Sequence, residues 1–496
     1  MFRSGGPEMR PRGDHGFDRL LLAGIEGGHP LPGELAGSVR SLAGALRDGE
    51  VSIPLPSLEG VPLAEDPRLA WNPPITQGIE RPLVVHSGRL YLGRYFEDMR
   101  RLALAIKRRR ATEPEAQWQP PDGVFDGLSP GQAEALNLAC RHAITFVTGG
   151  PGTGKTHVIQ SLVDSMAPGH QALLLAPTGK AAGRLPVSER VQVRTIHKAL
   201  GLYPGGRHGP KFHPDRPFDA ELVVVDEVSM VGLTLLRQLV EAVGPKARLV
   251  LVGDKDQLQS VAAGSVLGPL LQRAASTSAD APKVVPVARL QTSFRFGGAL
   301  AALAAAAADG DEAAFFSLLE SGEPGVKWVD YADPSALRSS LRLGQGQVLC
   351  AHRHGPIGSE QLNGLIAAQA DHGDRPIIIR RNDEELGLFN GDIGVLSGEE
   401  ASFSGRTLPR SVLPFYESAF ALTIHQSQGS EFDFIRVVLP SVDSPLLSRE
   451  LLYTAMTRAR EGLTLYGSRE SLKTCLHRPS SSAPGLLDLL DELDGF

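Results

Sequence analysis

Three cysteines in 496 residues leave almost no material for a cystine framework. Cys140, Cys350 and Cys475 lie far apart and lack the paired spacing of a zinc site. Their expected role is that of small buried hydrophobes. Also missing is any uninterrupted apolar run of membrane-spanning length, and the opening MFRSGGPEMRPRGDHG has no apolar signal core. The expectation is a soluble cytoplasmic chain with no membrane partner. Nor is there an excess of positive charge: 50 Lys and Arg stand against 56 Asp and Glu, a net charge of −6. A generally basic coat is excluded, so contact with a polyanion would need a local groove. The acids gather into no repeated carboxylate motif, and no nuclease centre is expected. What is present, 42% hydrophobic and 21% charged residues, is enough for real cores, and the length corresponds to roughly three domains.

One stretch organises the rest. Ile144 to Thr156 reads ITFVTGGPGTGKT, an apolar strand running into glycines with the spacing Gly149-x4-Gly154-Lys155-Thr156. Gly149, Gly150, Gly152 and Gly154, with Pro151 and Thr153 between them, can turn successive N–H groups inward around a phosphate chain. Lys155 supplies a point charge for the outer phosphates, the Thr156 hydroxyl can ligate Mg²⁺, and the following helix aims its positive end at the same anion. This is a nucleotide site.

The chain around it has a readable order. Residues 1 to about 16 have the composition of a disordered segment. Helical spacing runs from Phe17 to about Leu46, interrupted by HPLPG. VSIPLPSLEG and DPRLAWNPP read as loops, RPLVVHSGRLYLGRYF as a hairpin turned at Ser87-Gly88, and EDMRRLALAIKRRR as a helix. Its basic end, Lys107 to Arg110, is expected to be a solvated helix terminus, with nucleic-acid contact as the alternative. ATEPEAQWQPPDG has linker composition. Ser129 and Pro130 start a helix bearing Gln132, whose amide can read an adenine edge. ELVVVDEVSM is a buried strand ending in Asp226 and Glu227; the first can hold Mg²⁺ through water, the second can orient or deprotonate the attacking water. ARLVLVGDKDQLQSV repeats the design and offers Gln257 as a γ-phosphate sensor. Three such strands are the signature of a parallel sheet. Farther on, QVLCAHRHGPIGSEQLNGLI opens a second sheet, and residues 375–415 carry short β runs and turns, a small antiparallel insertion. Arg458 and Arg460, two apart in MTRAR, can reach a nucleotide across an interdomain cleft.

GGPGTGKT, LLAPTGKAAGRL, TIHKALG, VVVDEVSM, GDKDQLQSV, LQTSFRF, AFALTIHQSQGSEF and LLYTAMTRAR resemble, in order, the motif set of superfamily 1 helicases, and APTGKAA, DEVSM, GDKDQL and NGDIG resemble the RecD family in particular, the α subunit of exonuclease V, in the 5′-to-3′ branch. The resemblance covers residues 124–470. It implies an α/β fold with two RecA-like parallel-sheet P-loop motor domains, at 121–290 and 291–496. It further implies a small pin at 202–219, an inserted SH3-like β subdomain at 375–415 and a mixed N-terminal module at 1–120. It implies ATP and Mg²⁺ as cofactors. ATP contacts would come from Gln132, Gly154, Lys155, Thr156, Asp226, Glu227, Gln257, Arg295 and Arg458. Single-stranded DNA contacts would come from Pro177, Thr178, Lys180, Thr195, His197, Thr423, His425 and Gln428. The chain departs from the family pattern at Gln426, where a lysine is expected. The implied activity is that of a DNA-dependent ATPase and 5′-to-3′ helicase or translocase, a motor subunit working on duplex DNA ends with RecB-like and RecC-like subunits in recombinational repair. A stand-alone helicase and a non-translocating ATP-binding regulatory subunit are the alternatives.

Overall fold

The computed structural model describes residues 16–27, 29–55, 66–112, 118, 120–121, 123–203, 209–260, 263–268, 270–271, 285–292, 297–331, 337, 341, 346–369, 373–441, 443–478 and 485–495. The disordered reading of the first residues, most of the 113–122 linker and Arg295 therefore lie outside the described residues.

Helices α1 (Gly16–Glu26) and α2 (Gly33–Arg47) lie where the helical spacing placed them. They close over a four-stranded sheet of order β1-β4-β3-β2, formed by β1 (Ser52–Pro54), β2 (Leu69–Trp71), β3 (Leu83–His86) and β4 (Arg89–Leu92). The β3–β4 hairpin turns at Ser87 (φ 48°) and Gly88 (φ 71°), the left-handed pair that matches strand twist. The two flanking segments correct the loop reading. Residues 52–54 pair antiparallel with β4, and residues 69–71 pair parallel with β3. Each is a three-residue edge strand whose order comes from its neighbour, and Pro54 sits at the strand end where a missing donor is tolerated.

Helix α3 (Gly93–Ala111) joins this module to the first lobe. Phe96, Met99, Leu102 and Ile106 belong to the same apolar core as Ile144, Phe146, Leu249 and Leu251. The basic end of α3 is only partly solvated: Arg108 is exposed, while Lys107, Arg109 and Arg110 are engaged within the protein. The Arg109 guanidinium is buried and donates to the carbonyls of Ala247 (3.1 Å), Gly244 (2.9 Å) and Val243. These carbonyls lie in the turn that follows the helix Leu233–Ala242, so Arg109 ties that turn to α3. Lys107 donates to Leu493 and Arg110 pairs with Asp494, both on the helix Gly485–Gly495. Arg101 meets Glu241 through two 2.8 Å bonds, and Arg237 reaches Asp98 at 2.6 Å. Partners more than 130 residues away are invisible to local reading.

The first lobe is a six-stranded, wholly parallel sheet of order β10-β5-β9-β8-β6-β7. Its strands are β5 (Ile144–Gly149), β6 (Ala172–Ala176), β7 (Val191–Thr195), β8 (Leu222–Val225), β9 (Arg248–Gly253) and β10 (Val287–Leu290). Strands β5, β6, β8 and β9 are almost continuously buried, as a sheet covered on both faces requires. Trp118, in the segment with linker composition, is buried under this lobe with the Arg248 guanidinium 4.4 Å from its ring centroid. In the 202–219 segment, residues 204–208 lie outside the described set; Phe212 and Phe218 stack at 5.2 Å on the first-lobe core.

The second lobe is a five-stranded parallel sheet of order β11-β20-β19-β12-β18. It contains β11 (Val326–Val329), β12 (Gln347–Cys350), β18 (Ala421–Thr423), β19 (Phe432–Val438) and β20 (Ala459–Tyr466). Between β12 and β18 the chain leaves to form an antiparallel sheet, β16-β15-β14-β13-β17. Its strands are β13 (Arg375–Ile379), β14 (Ile393–Ser397), β15 (Glu400–Phe403), β16 (Arg406–Pro409) and β17 (Tyr416–Ser418). This is the small β insertion, a meander whose last strand returns beside its first. All three cysteines are free and buried.

Candidate active site

The nucleotide cleft is built where strands end. β5 stops at Gly149, and the loop turns through Gly152 (φ 74°) and Gly154 (φ 80°) into helix α5 (Lys155–Asp164). Any side chain at Gly154 would be strained by its φ and would also come within 2.2 Å of Gln132 Nε2. Gln132 is buried in helix α4 (Pro130–Arg141). Its carbonyl accepts from Ser129 N (2.9 Å), completing a capping box, and its amide donates to Thr153 O (3.1 Å). The adenine-reading candidate thus braces the phosphate loop, with its amide already holding two backbone groups. Lys155 Nζ donates to Gly149 O (2.7 Å) and Gly150 O (3.1 Å), which draws the ammonium across the loop mouth.

Asp226 and Glu227 follow β8 beside this loop. Burial, with the Glu227 carboxylate as second cause, pushes the Asp226 carboxyl well above the usual range, against the pull of Lys155. Glu227 adopts a left-handed backbone (φ 53°), an uncommon state for a residue with a side chain. Among the described residues, its Oε2 is buried without a hydrogen-bond partner. A crowded buried acid, an unsatisfied carboxylate oxygen and the Thr156 hydroxyl in the same cavity fit a divalent cation with a phosphate chain.

The cavity, about 670 Å³, is shared between lobes. Gln132, Gly150 to Thr156, Asp226, Glu227 and Gln257 line it from the first, and Gly429, Glu431, Arg458 and Arg460 from the second. Arg458 is buried and anchored by donating to Thr454 O (3.2 Å) and Ser430 O (3.3 Å). Arg460 is half exposed and pairs with Glu431 at 3.2 Å. Sequence reading missed Arg184 and His157, which also line the cavity. The GRL that ends the quoted GKAAGRL run was the available signal for Arg184.

The residues assigned to DNA cluster on other strand ends. Thr178, after β6 and Pro177, caps its short helix by accepting from Ala181 N (3.2 Å), and Thr195, ending β7, accepts from Lys198 N (3.3 Å) beside exposed His197. Thr423 ends β18. Gln426 exchanges hydrogen bonds with it, receiving from Thr423 N (2.9 Å) and donating to Thr423 Oγ1 (3.2 Å), so the residue that replaces lysine ties this turn. Burial lowers the His425 pKa. Gln428 faces the other lobe, donating to Leu258 O at 3.2 Å, an engagement local reading did not foresee. Lys180 donates to Gly391 O (3.1 Å) and Ser430 Oγ, and burial pushes its pKa down to about 8. The insertion reaches this surface: a Cβ at Gly179 would lie 2.9 Å from the Phe389 ring, and Lys198 pairs with Glu384 at 2.8 Å.

Two family models match the chain, the AAA domain over residues 127–324 and the UvrD-like helicase C-terminal domain over 418–466. The RecBCD enzyme subunit RecD of Mycobacterium tuberculosis is 36% identical over 89% of this chain and 88% of its own length. The same subunit from Mycolicibacterium smegmatis is 32% identical over 96% of this chain and 97% of its own. The ATP-dependent RecD2 DNA helicase of Deinococcus radiodurans is 34% identical over 77% of this chain and 56% of that protein. Identity of this level along nearly the whole chain, on a cleft assembled from both lobes, has one consequence: the chain belongs to the RecD family.

Proposed function

We propose that this protein is an ATP-dependent DNA helicase of the RecD type, a single-strand translocase of 5′-to-3′ polarity. In this reading it works at duplex ends with RecB-like and RecC-like partner subunits. The observation that carries the reading is the shared cavity, in which a P-loop lysine and an acid pair from one lobe face a buried arginine from the other. A second α/β lobe that bears this arginine is motor design rather than that of a small-molecule kinase, and such a site is complete only when the lobes are closed.

Each residue then has a task. The P-loop backbone and Lys155 bind the phosphates, and Thr156 and Asp226 would hold Mg²⁺, which would supply charge neutralisation to the phosphate chain. Glu227, its oxygen unsatisfied and its backbone held in place, accepts a proton from the attacking water. Gln257 and Arg458 contact the γ-phosphate from opposite lobes. Loss of that phosphate removes what both were holding, the cleft relaxes, and the lobes shift their grips along the strand.

The test is steady-state ATP hydrolysis by the purified chain, with and without single-stranded DNA at low salt, followed by unwinding of 5′- and 3′-tailed duplexes. Strong stimulation that is lost in Lys155→Ala, with unwinding of the 5′-tailed substrate, is the expected result. Turnover retained in Lys155→Ala would sink the site assignment. Preference for the 3′ tail would sink the polarity.

A further inference from the structure

The sensor loop after β9 is fastened to the second lobe at three points. Leu258 N donates to Thr454 Oγ1 (2.7 Å), Gln428 Nε2 donates to Leu258 O (3.2 Å), and the Tyr453 hydroxyl donates to Asp254 Oδ2 (3.3 Å). The first two engage backbone groups and do not depend on any side chain of the sensor loop. The third differs. Asp254 Oδ2 also accepts from Gln257 Nε2 (3.1 Å), while Oδ1 accepts from Asp256 N (3.1 Å). One buried oxygen therefore serves two donors, the candidate γ-phosphate sensor on its own loop and a tyrosine from across the cleft.

The surroundings make this arrangement costly to keep for packing alone. Asp254 is only 1% exposed, and burying a carboxylate is unfavourable where apolar residues would fill the space. Its hydrogen-bond donors among the described residues are neutral groups: a backbone N–H, an amide and a phenol. The Tyr453 hydroxyl also abuts the phosphate loop, because a Cβ at Gly150 would stand 3.0 Å from it. Tyr453 lies on the helix Arg449–Met456, and Arg458 follows two residues after that helix ends. The hydroxyl thus bonds the acid that also holds the sensor, lies beside the phosphate loop, and belongs to the helix that leads into Arg458.

We propose that Tyr453 is a positioning residue which, through Asp254, transmits the state of Gln257 to the segment that carries Arg458. When the Gln257 amide turns to a γ-phosphate, Asp254 Oδ2 is left to the tyrosine alone, the cross-cleft bond strengthens, and the arginine is drawn toward the site. When the phosphate departs, Gln257 returns and competes for the oxygen, and the bond weakens. The inference rests on the helicase reading above and assigns a coupling role to a residue outside the catalytic set.

The experiment uses the full chain and two readouts. The first is ATP turnover with and without oligo-dT. The second is oligo-dT affinity with and without a non-hydrolysable ATP analogue, which does not depend on activity. Tyr453→Phe keeps the ring and removes the hydroxyl. It is expected to leave the KM for ATP within about twofold and lower DNA-stimulated kcat about tenfold or more, and to abolish the analogue-induced change in oligo-dT affinity. Asp254→Asn, which removes the negative charge and puts an NH2 donor in place of one of the two acceptor oxygens, is expected to abolish the same change, and the double variant to fall no further than the worse single one. Parental coupling in Tyr453→Phe overturns the proposal, as do independent, multiplying effects of the two substitutions. Should Tyr453→Phe fail to fold, Asp254→Asn alone decides, and a parental affinity change in it overturns the proposal. A parent chain whose hydrolysis ignores DNA overturns the helicase reading itself, which separates the two failures.

Discussion

Glu227 holds a left-handed backbone and a buried carboxylate oxygen with no hydrogen-bond partner among the described residues, a combination that costs stability and orients a base. Glu227→Gln preserves shape and removes the basic oxygen. Turnover should fall about 10²-fold or more while nucleotide affinity, followed by fluorescence of a labelled ATP, is maintained. Lys180 carries a pH signature instead. Its ordinary pKa is 10.5, and burial against Gly391 and Ser430 brings it down to about 8. A base whose folded pKa lies below its unfolded value costs the fold most while it is protonated, so the folded state gains stability as pH rises from about 8 towards 10.5 and is flat below about 8. Thermal melts should show the parent gaining on Lys180→Met across that window and not at pH 6 to 7. The shared place of Lys155, Thr156 and Asp226 in one cavity was legible because each sits in a motif of near neighbours at the end of an apolar strand. The engagements of Gln132 with Thr153 and of Gln428 with Leu258 were not, since each is decided by a backbone atom brought close only by the fold.

Helix α3 shows how an element can be recognised and its purpose misread. Its body, residues 97–110, reads as a helix, although GRYF at its start reads as part of the hairpin, and its basic end looks like solvent-facing charge. In the fold Arg109 of that end is buried and fastens the first lobe, while Arg108 stays exposed. Burial pushes the Arg109 guanidinium down to about 10, and it donates to three carbonyls after the helix Leu233–Ala242. Arg109→Ala should cost about 2–4 kcal/mol by removing this buried donor from the carbonyls of Val243 and Ala247, Gly244 O keeping its bond from Ala247 N. Calorimetry would register this as a lower midpoint, and Arg108→Ala, whose side chain is exposed, should change little. Strands β1 and β2 teach the complementary lesson. Three-residue segments with proline nearby have no periodicity to read, and their strand character exists only through pairing with the hairpin.

At the scale of the whole molecule, parallel sheets, their order along the chain and the β insertion could be anticipated from apolar runs that end in polar loops. How the parts are bound together could not. The helix Gly485–Gly495 inserts Leu486, Leu489, Leu490 and Leu493 into the same core as Tyr91, Phe96 and Leu102. His86 Nε2 lies 2.8 Å from Glu492 Oε1 on the same interface. Each buried leucine contributes roughly 1.5–3 kcal/mol as an upper range. Deleting residues 485–496 should therefore lower the thermal midpoint and raise binding of a hydrophobic dye to the N-terminal module and first lobe. An unchanged midpoint would show that the helix is dispensable. This closure has a consequence for biosynthesis. Arg110 waits for Asp494, 384 residues later in the chain. At about 5–20 residues per second the ribosome needs roughly 20–80 s to deliver that partner. During this interval the core that Phe96 and Leu102 share with the helix Gly485–Gly495 stands open on one side, so a chain interrupted before that helix carries an exposed apolar face that proteases and chaperones can recognise.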